Sequence, residues 1–207
     1  FYEGSNNENS QIVKLNYYYG GSPCQSNNEV EFFIDAHEMY DRQLEDIKNA
    51  AESINVMYYL FKTDAAGKAL RDALIEKAKQ GVKVNVVYDS SGNLKTNLYF
   101  FRDLIKAGGK VHPFFPSIFK LINSNFCYRN HRKIVVIDGK IGYIGGMNIG
   151  VDYLSQDKRI KPWRDTHLRI VGESVCMLQT RFIKDFTCSS KRAIIDDDIT
   201  PFFDTNK

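Results

Sequence analysis

An α/β fold is what the sequence predicts, with a mixed, largely parallel central sheet flanked by helices on both faces. Short β-branched and aromatic runs alternate with amphipathic stretches between residues 30 and 115. The links between them are short, which favours right-handed crossovers and parallel strands. The chain has 207 residues, of which 43% are hydrophobic and 13% aromatic, enough for one large domain with a substantial core.

Each element has its own signal. Residues 1–28 are rich in Asn, Ser, Gly and Tyr, lack periodicity and read as an irregular segment, with "GGSPCQSNN" as loop. "VEFFI" at 30–34 is a short strand. Tyr40, Leu44, Ile47 and Ala51 recur at helical spacing, so 37–52 predicts an amphipathic helix. "SINVMYYLF" at 53–61 is β-branched and aromatic, a buried strand. Residues 65–80 predict a helix with Leu70, Leu74 and Ala78 on one stripe and Gly81 ending it. "KVNVVYD" at 83–89 is a strand, 95–107 a helix closed by Gly108-Gly109, and "KVHPFF" at 110–115 a strand.

The order then changes. Residues 132–137 and 141–145 predict neighbouring strands joined at Asp138-Gly139, a common hairpin turn. "THLRIVG" at 166–172 is another strand. Residues 173–187 form a last helix, with Val175, Leu178, Phe182 and Phe186 nearly in one stripe. The domain is therefore expected over 29–187, and 188–207 reads as a tail or linker.

Composition restricts the function classes. With 28 basic and 25 acidic residues the net charge is +3, and no stripe of Lys and Arg stands out, so nucleic acid is not favoured. Cys24, Cys127, Cys176 and Cys188 are widely spread, with no CxxC and no histidine at zinc-ligand spacing. Free or buried thiols are expected, disulfides stay open, and neither a metal nor a cofactor is expected. No apolar run reaches the roughly 18 residues that span a bilayer, and no signal-peptide pattern begins the chain. A chain beginning at Phe1 is expected to be a piece of something longer, whose other part could hold a membrane anchor.

The chemistry concentrates in "RNHRKIVVIDGKIGYIGGMN", residues 129–148. Side chains alternate along a strand, so His131 and Lys133 face the same way, roughly 6–7 Å apart along the chain, a gap that one phosphate group can bridge. Past Lys133 both faces are apolar, which predicts a central strand. A lysine at the mouth of such a strand is costly unless an anion or a carboxylate meets it. Asp138 falls on the other parity, and its first expected role is to hold the turn. Gly145-Gly146 would let backbone N–H groups approach a ligand, and Asn148 adds a neutral donor. With Lys133 they could cradle a phosphoryl group whose charge grows in a transition state.

The combined pattern H-x-K-x(4)-D-x(6)-G-G-x-N resembles the HKD signature of the phospholipase D superfamily. "PWRDTHLRI", "YYLFKTDAAGKALRDALIEKAKQGVKVNVVYDSSG" and "NNEVEFFIDAHEMYDRQLEDIKNA" extend the likeness over about residues 20–187, toward bacterial cardiolipin synthases and the first of their two HKD halves. The resemblance implies a phospholipase D-like half-domain, a second half beyond the tail, and phosphatidyl transfer from one phosphatidylglycerol to another with release of glycerol. It implies two HKD histidines working without metal. One attacks phosphorus to form a phosphohistidine; the other protonates the leaving alkoxide and then deprotonates the incoming alcohol. By motif position the catalytic set is His131 as nucleophile, with Lys133, Asp138, Asn148 and Asp165; Lys133 and Asn148 hold phosphoryl oxygens, and Gly145 and Gly146 bind substrate. Asp165, in "WRDTH", is the expected carboxylate on the histidine's other ring nitrogen.

The partners so implied are phosphatidylglycerol, the second HKD half or a homodimer mate, and a membrane surface. The longer protein would reside at a bacterial cell membrane, with this chain soluble. A homodimeric phosphodiesterase or nuclease of the same superfamily is the alternative, as is a non-catalytic phosphate-binding half-domain. His37, His112 and His167 read as structural because none has a lysine two residues on. Trp163 reads as packing or rim, with a lipid-interface role open. Lys158, Arg159 and Lys161 read as a solvated loop, with lipid-headgroup contact as the sharper reading.

Overall fold

The computed structural model describes residues 8–21, 25–93, 96–114, 129–154 and 163–190. Seven strands make one sheet: β1 (Asn28–Phe33), β2 (Ser53–Tyr58), β3 (Lys83–Asp89), β4 (Lys110–Phe114), β5 (Ile134–Ile137), β6 (Ile141–Gly145) and β7 (His167–Gly172). Their spatial order is β1-β7-β6-β5-β2-β3-β4. The helices are α1 (Glu8–Gly20), α2 (Ala36–Asn49), α3 (Ala65–Lys79), α4 (Arg102–Lys106) and α5 (Val175–Ser190).

The α/β class holds, but the sheet is not largely parallel. Only β2-β3 and β3-β4 pair in parallel. The pairs β2-β5, β5-β6, β6-β7 and β1-β7 are antiparallel. The Asp138-Gly139 turn accounts for the β5-β6 pair: both residues have positive φ, 53° and 65°, as a tight hairpin turn requires. That turn reverses the chain beside β5, and β7 continues the reversal.

Two layers of side chains cover the sheet. Val135 and Ile137 join Val56, Leu70 and Leu74 in a core beneath α2 and α3. Ile134 and Val136 join Met57, Phe182 and Phe186 beneath α5. The alternation read from the motif is therefore real, and β5 is buried on both faces. Helix α2 starts where the Asp35 carboxylate accepts from the N–H groups of His37 (2.7 Å) and Glu38 (3.3 Å). Helix α3 starts at Asp64, which accepts from Gly67 N–H, and its buried stripe includes Leu70, Leu74 and Ala78.

Several expected boundaries move. Within the expected irregular segment 1–28, residues Glu8–Gly20 form α1. Apart from partly buried Val13, the side chains described along this helix are exposed, so it carries no buried stripe for a periodicity search to find. The helix expected over 95–107 shrinks to α4. Asn97 accepts from the N–H groups of Tyr99 and Phe100 instead, and such local side-chain bonds compete with helix formation. Helix α5 runs three residues beyond the expected end, to Ser190. No helix among the described residues is long and apolar enough to cross a membrane. Cys176 and Cys188 are free and exposed; Cys24, Cys127, Lys158, Arg159 and Lys161 lie outside the described residues.

Candidate active site

One rim of the sheet gathers the ends of β2, β3 and β6 and the starts of β5 and β7. His131 stands there with an exposed side chain. Its ring lies 4.6 Å from the ring of Tyr59, just past β2. Lys133, only 2% exposed, turns back toward it. The Lys133 Nζ lies 3.2 Å from both His131 ring nitrogens and donates to the His131 carbonyl at 2.7 Å. It also sits 5.4 Å from the Tyr59 ring centroid, a cation–π contact that partly offsets lost hydration.

These neighbours set the protonation states. Burial pushes the Lys133 ammonium down to about 8, with Asp165 opposing. Burial and then Lys133 lower the His131 imidazole below its ordinary value, opposed by Asp89 and Asp165. A neutral imidazole beside a charged lysine is thus favoured near pH 7, the state an attacking nitrogen needs. Among the described residues no carboxylate comes within 4.0 Å of Lys133 Nζ. The pair is one that an anion would complete.

Asp165 reaches the same rim from the segment before β7. Its charge acts on His131, Lys133 and His167, and its Oδ1 accepts from Thr166 N–H at 2.7 Å. The glycine pair works differently from the sequence expectation. The N–H of Gly146 is already donated to the Thr166 carbonyl (2.9 Å), so it does not face a ligand. A Cβ on Gly145 would lie 2.5 Å from His167 Cα, and one on Gly146 would lie 2.5 Å from Asp165 Cγ. Their lack of side chains lets β7 approach and seats the Asp165 carboxylate. Asn148 is also engaged within the chain: Oδ1 accepts from Leu60 N–H (3.0 Å) and Nδ2 donates to the Tyr153 hydroxyl (2.8 Å).

Asp138 is not at this rim. It sits at the far end of β5, on the order of 20 Å from His131 for seven residues of extended chain. Its carboxylate accepts from the N–H groups of Ala51, Glu52 and Ser53, each at 2.8 Å, at the start of β2. Placing it in the catalytic set is therefore a correction; its turn-holding role stands.

His167 is fully buried, neither ring nitrogen has a hydrogen-bond partner, and burial pushes it down to about 4. His37 lies in the first turn of α2 and His112 packs on Phe186, so neither joins His131. Trp163 is 42% exposed and stacks edge-on against Tyr153 at 4.7 Å. Sequence reasoning missed Tyr59, Asp89, Asn130 and Tyr153. Tyr59, Asp89 and Asn130 lie inside the stretches that carried the resemblance, with Tyr59 and Asp89 read as parts of buried strands; Tyr153 follows the motif by five residues. No group of three or more His, Cys, Asp or Glu among the described residues could hold a metal.

The comparisons agree with this geometry. A family model described as cardiolipin synthase, PLD-like domain, matches residues 44–159, more than half of the chain. A cardiolipin synthase of Listeria monocytogenes is 47% identical over 176 residues, 85% of this chain and 36% of that protein. The major cardiolipin synthase ClsA of Bacillus subtilis is 47% identical over 183 residues, 88% of this chain and 38% of that protein. The chain thus spans little more than a third of these relatives' length. Among solved structures, NucT from Helicobacter pylori matches with a TM-score of 0.60 at 20% identity, covering 79% of this chain and 98% of that one. Phosphatidylserine synthase of Haemophilus influenzae matches with 0.60 at 20% identity, covering 86% of this chain and 39% of that one; both likenesses speak for the fold. With an H-x-K pair at the sheet's rim and a family model over more than half its length, the chain belongs to the cardiolipin synthase, phospholipase D-like domain family.

Proposed function

We propose that this chain supplies one half of a cardiolipin synthase active site, with His131 as the nucleophile. The observation that carries the reading is the Lys133 ammonium 3.2 Å from both nitrogens of an exposed imidazole. A phosphodiester brought to that pair meets a lone pair and a positive charge together.

The reaction would run in two displacements. His131 nitrogen forms a bond to phosphorus of phosphatidylglycerol while the bond to the glycerol oxygen breaks. A proton from an acid on the opposite side goes to the leaving alkoxide. A hydroxyl of a second phosphatidylglycerol then attacks the phosphohistidine, gives up its proton to that same group, and frees His131. Lys133 balances charge on the phosphoryl oxygens, and Asp165 supports the imidazolium that forms. Asn148 acts by fixing Tyr153 and Leu60, and Gly145 and Gly146 by seating Asp165. Among the described residues no second histidine contacts His131, and exposed His37 opens α2 beyond β1, three strands from β5 in the sheet, so the acid comes from a second HKD half or a second copy of the chain.

The test is glycerol release from phosphatidylglycerol vesicles by the protein and its His131→Ala variant, with a search for a phosphatidyl group trapped on His131. Loss of a nucleophile should exceed the roughly 10²–10⁴-fold effect of a general acid or base alone. Turnover near that of the parent in His131→Ala would overturn the assignment.

A further inference from the structure

Asn130, the residue before His131, is 1% exposed, and its side-chain amide and backbone N–H are all engaged. Its backbone N–H donates to Asp89 Oδ2 at 3.0 Å. Its Nδ2 donates to Asp185 Oδ2 at 3.1 Å and to Met57 Sδ at 3.0 Å. Its Oδ1 accepts from Arg132 N–H at 3.2 Å. One residue thereby joins β2 and α5 through its side chain and the end of β3 through its backbone N–H, at the point from which the imidazole projects.

The two carboxylates are themselves fixed. Asp89 is 2% exposed, and its Oδ1 accepts from the N–H groups of Ser91 (2.9 Å) and Gly92 (3.0 Å). Asp185 is 3% exposed and is held by Arg181 one turn earlier, with the Arg132 guanidinium at 3.5 Å. Buried carboxylates are expensive unless fully engaged. Here both direct an acceptor at Asn130, on either side of the backbone that precedes His131.

His131 needs such support. Among the described residues, its exposed ring meets Lys133 and Tyr59, both on one rim of the sheet. The backbone that presents it is therefore a main source of its position. We propose that Asn130 is a positioning residue for His131, carrying the fixed geometry of Asp89 and Asp185 to the strand that presents the imidazole. This rests on the reading of His131 as the reacting group. Misplacing a reacting group by about 1 Å can cost about a hundredfold in rate.

The experiment pairs steady-state glycerol release with a titration of His131 followed by imidazole ¹⁵N NMR, in the parent and three variants. Asn130→Ala should lower kcat about a hundredfold with KM little changed. The His131 imidazole, released from Lys133 and its pocket, should titrate higher, closer to an ordinary histidine. Should Asn130→Ala fail to fold, Asn130→Ser keeps an acceptor for Arg132 N–H, loses the two donors, and carries the same expectation. Asp185→Asn must turn an amide donor toward either Asn130 or Arg181, so it should move kcat and the His131 titration in the same direction as Asn130→Ala, by less. A lower melting temperature in the folded Asn130 variant with unchanged titration and kcat would show a purely structural role and overturn the proposal. An Asp185→Asn variant with the parent's titration and kcat would show that Asp185 does not act through Asn130 and overturn it too. If the parent itself transfers no phosphatidyl group, the functional reading fails, while the titration still decides whether Asn130 positions the imidazole.

Discussion

Asp138→Ala separates the two ends of β5, because it should harm folding and leave the chemistry intact. The Asp138 carboxylate accepts three backbone N–H groups at 2.8 Å. Ala51 and Glu52 are exposed, so water replaces the carboxylate there at little cost. Ser53 is fully buried, and its N–H would be stranded, at about 1–3 kcal/mol. Asp138 also holds φ at 53°, where alanine is less comfortable than aspartate or asparagine, adding about 1 kcal/mol. The sum is about 3 kcal/mol, or a fall in melting temperature of about 6–12 °C for a chain of this size. Asp138→Asn keeps one acceptor and tolerates the turn, so it should lose about a third of that. Thermal melts beside glycerol release, normalised to folded protein, give the measurement. A variant that melts like the parent but is dead would put Asp138 back into the catalytic set and refute the reasoning.

Other consequences follow from the charges and close contacts at the His131 rim. Activity should rise with pH as the imidazole loses its proton, through a value below the ordinary 6.5, and should fall near pH 8 as the Lys133 ammonium deprotonates. Lys133→Arg, which stays charged throughout, should abolish that alkaline limb in a pH–rate profile while slowing turnover; an unmoved limb would exclude Lys133 as its source. Gly146→Ala should push the Asp165 carboxylate aside, lower turnover and move the alkaline limb below 8, because Asp165 holds the Lys133 value up. A limb unchanged in kinetics of that variant would show that Asp165 does not act there. The isolated chain should be inactive on phosphatidylglycerol or active only when associated, and light scattering run with glycerol release checks this: full activity in a strict monomer refutes the two-histidine reading.

Much of this was legible in the sequence, for identifiable reasons. The strand at 83–89 matches β3 residue for residue, and that at 141–145 matches β6, because β-branched runs bounded by glycine or a charged residue have few other uses. The alternation of Val135 and Ile137 against Ile134 and Val136 held because the period of a strand is geometric. Past β4, the direction of the β5-β6 hairpin was legible but its orientation against β2 was not. Residues 110–134 carry no local signal of which neighbour β5 will choose, and β5 inserts beside β2, far from β4 in the sheet. The glycine pair was read as a ligand cradle because a glycine's conformational freedom is local knowledge; that Thr166 and Asp165 occupy the space is tertiary knowledge.

The topology explains why the two ends of one short strand differ so much in role. β5 runs against β2, so its start meets the end of β2, while its own end meets the start of β2. At the first rim, β3 points the same way as β2 and β5 the opposite way. The chain arriving at β5 meets the ends of β2 and β3 there, with Asn130 bonded to Asp89 and the His131 ring facing Tyr59. His131 and Lys133 enter that rim from the antiparallel strand, with Tyr59 from β2 and Asp89 from β3 around them. At the second rim Asp138 closes the gap between β5 and β2 with three backbone bonds. A closed rim excludes a ligand and stabilises the sheet; an open rim exposes an imidazole and leaves a lysine charge to be met. The motif's histidine and lysine thus serve the open end, and its aspartate, five residues on from Lys133, holds the closed end.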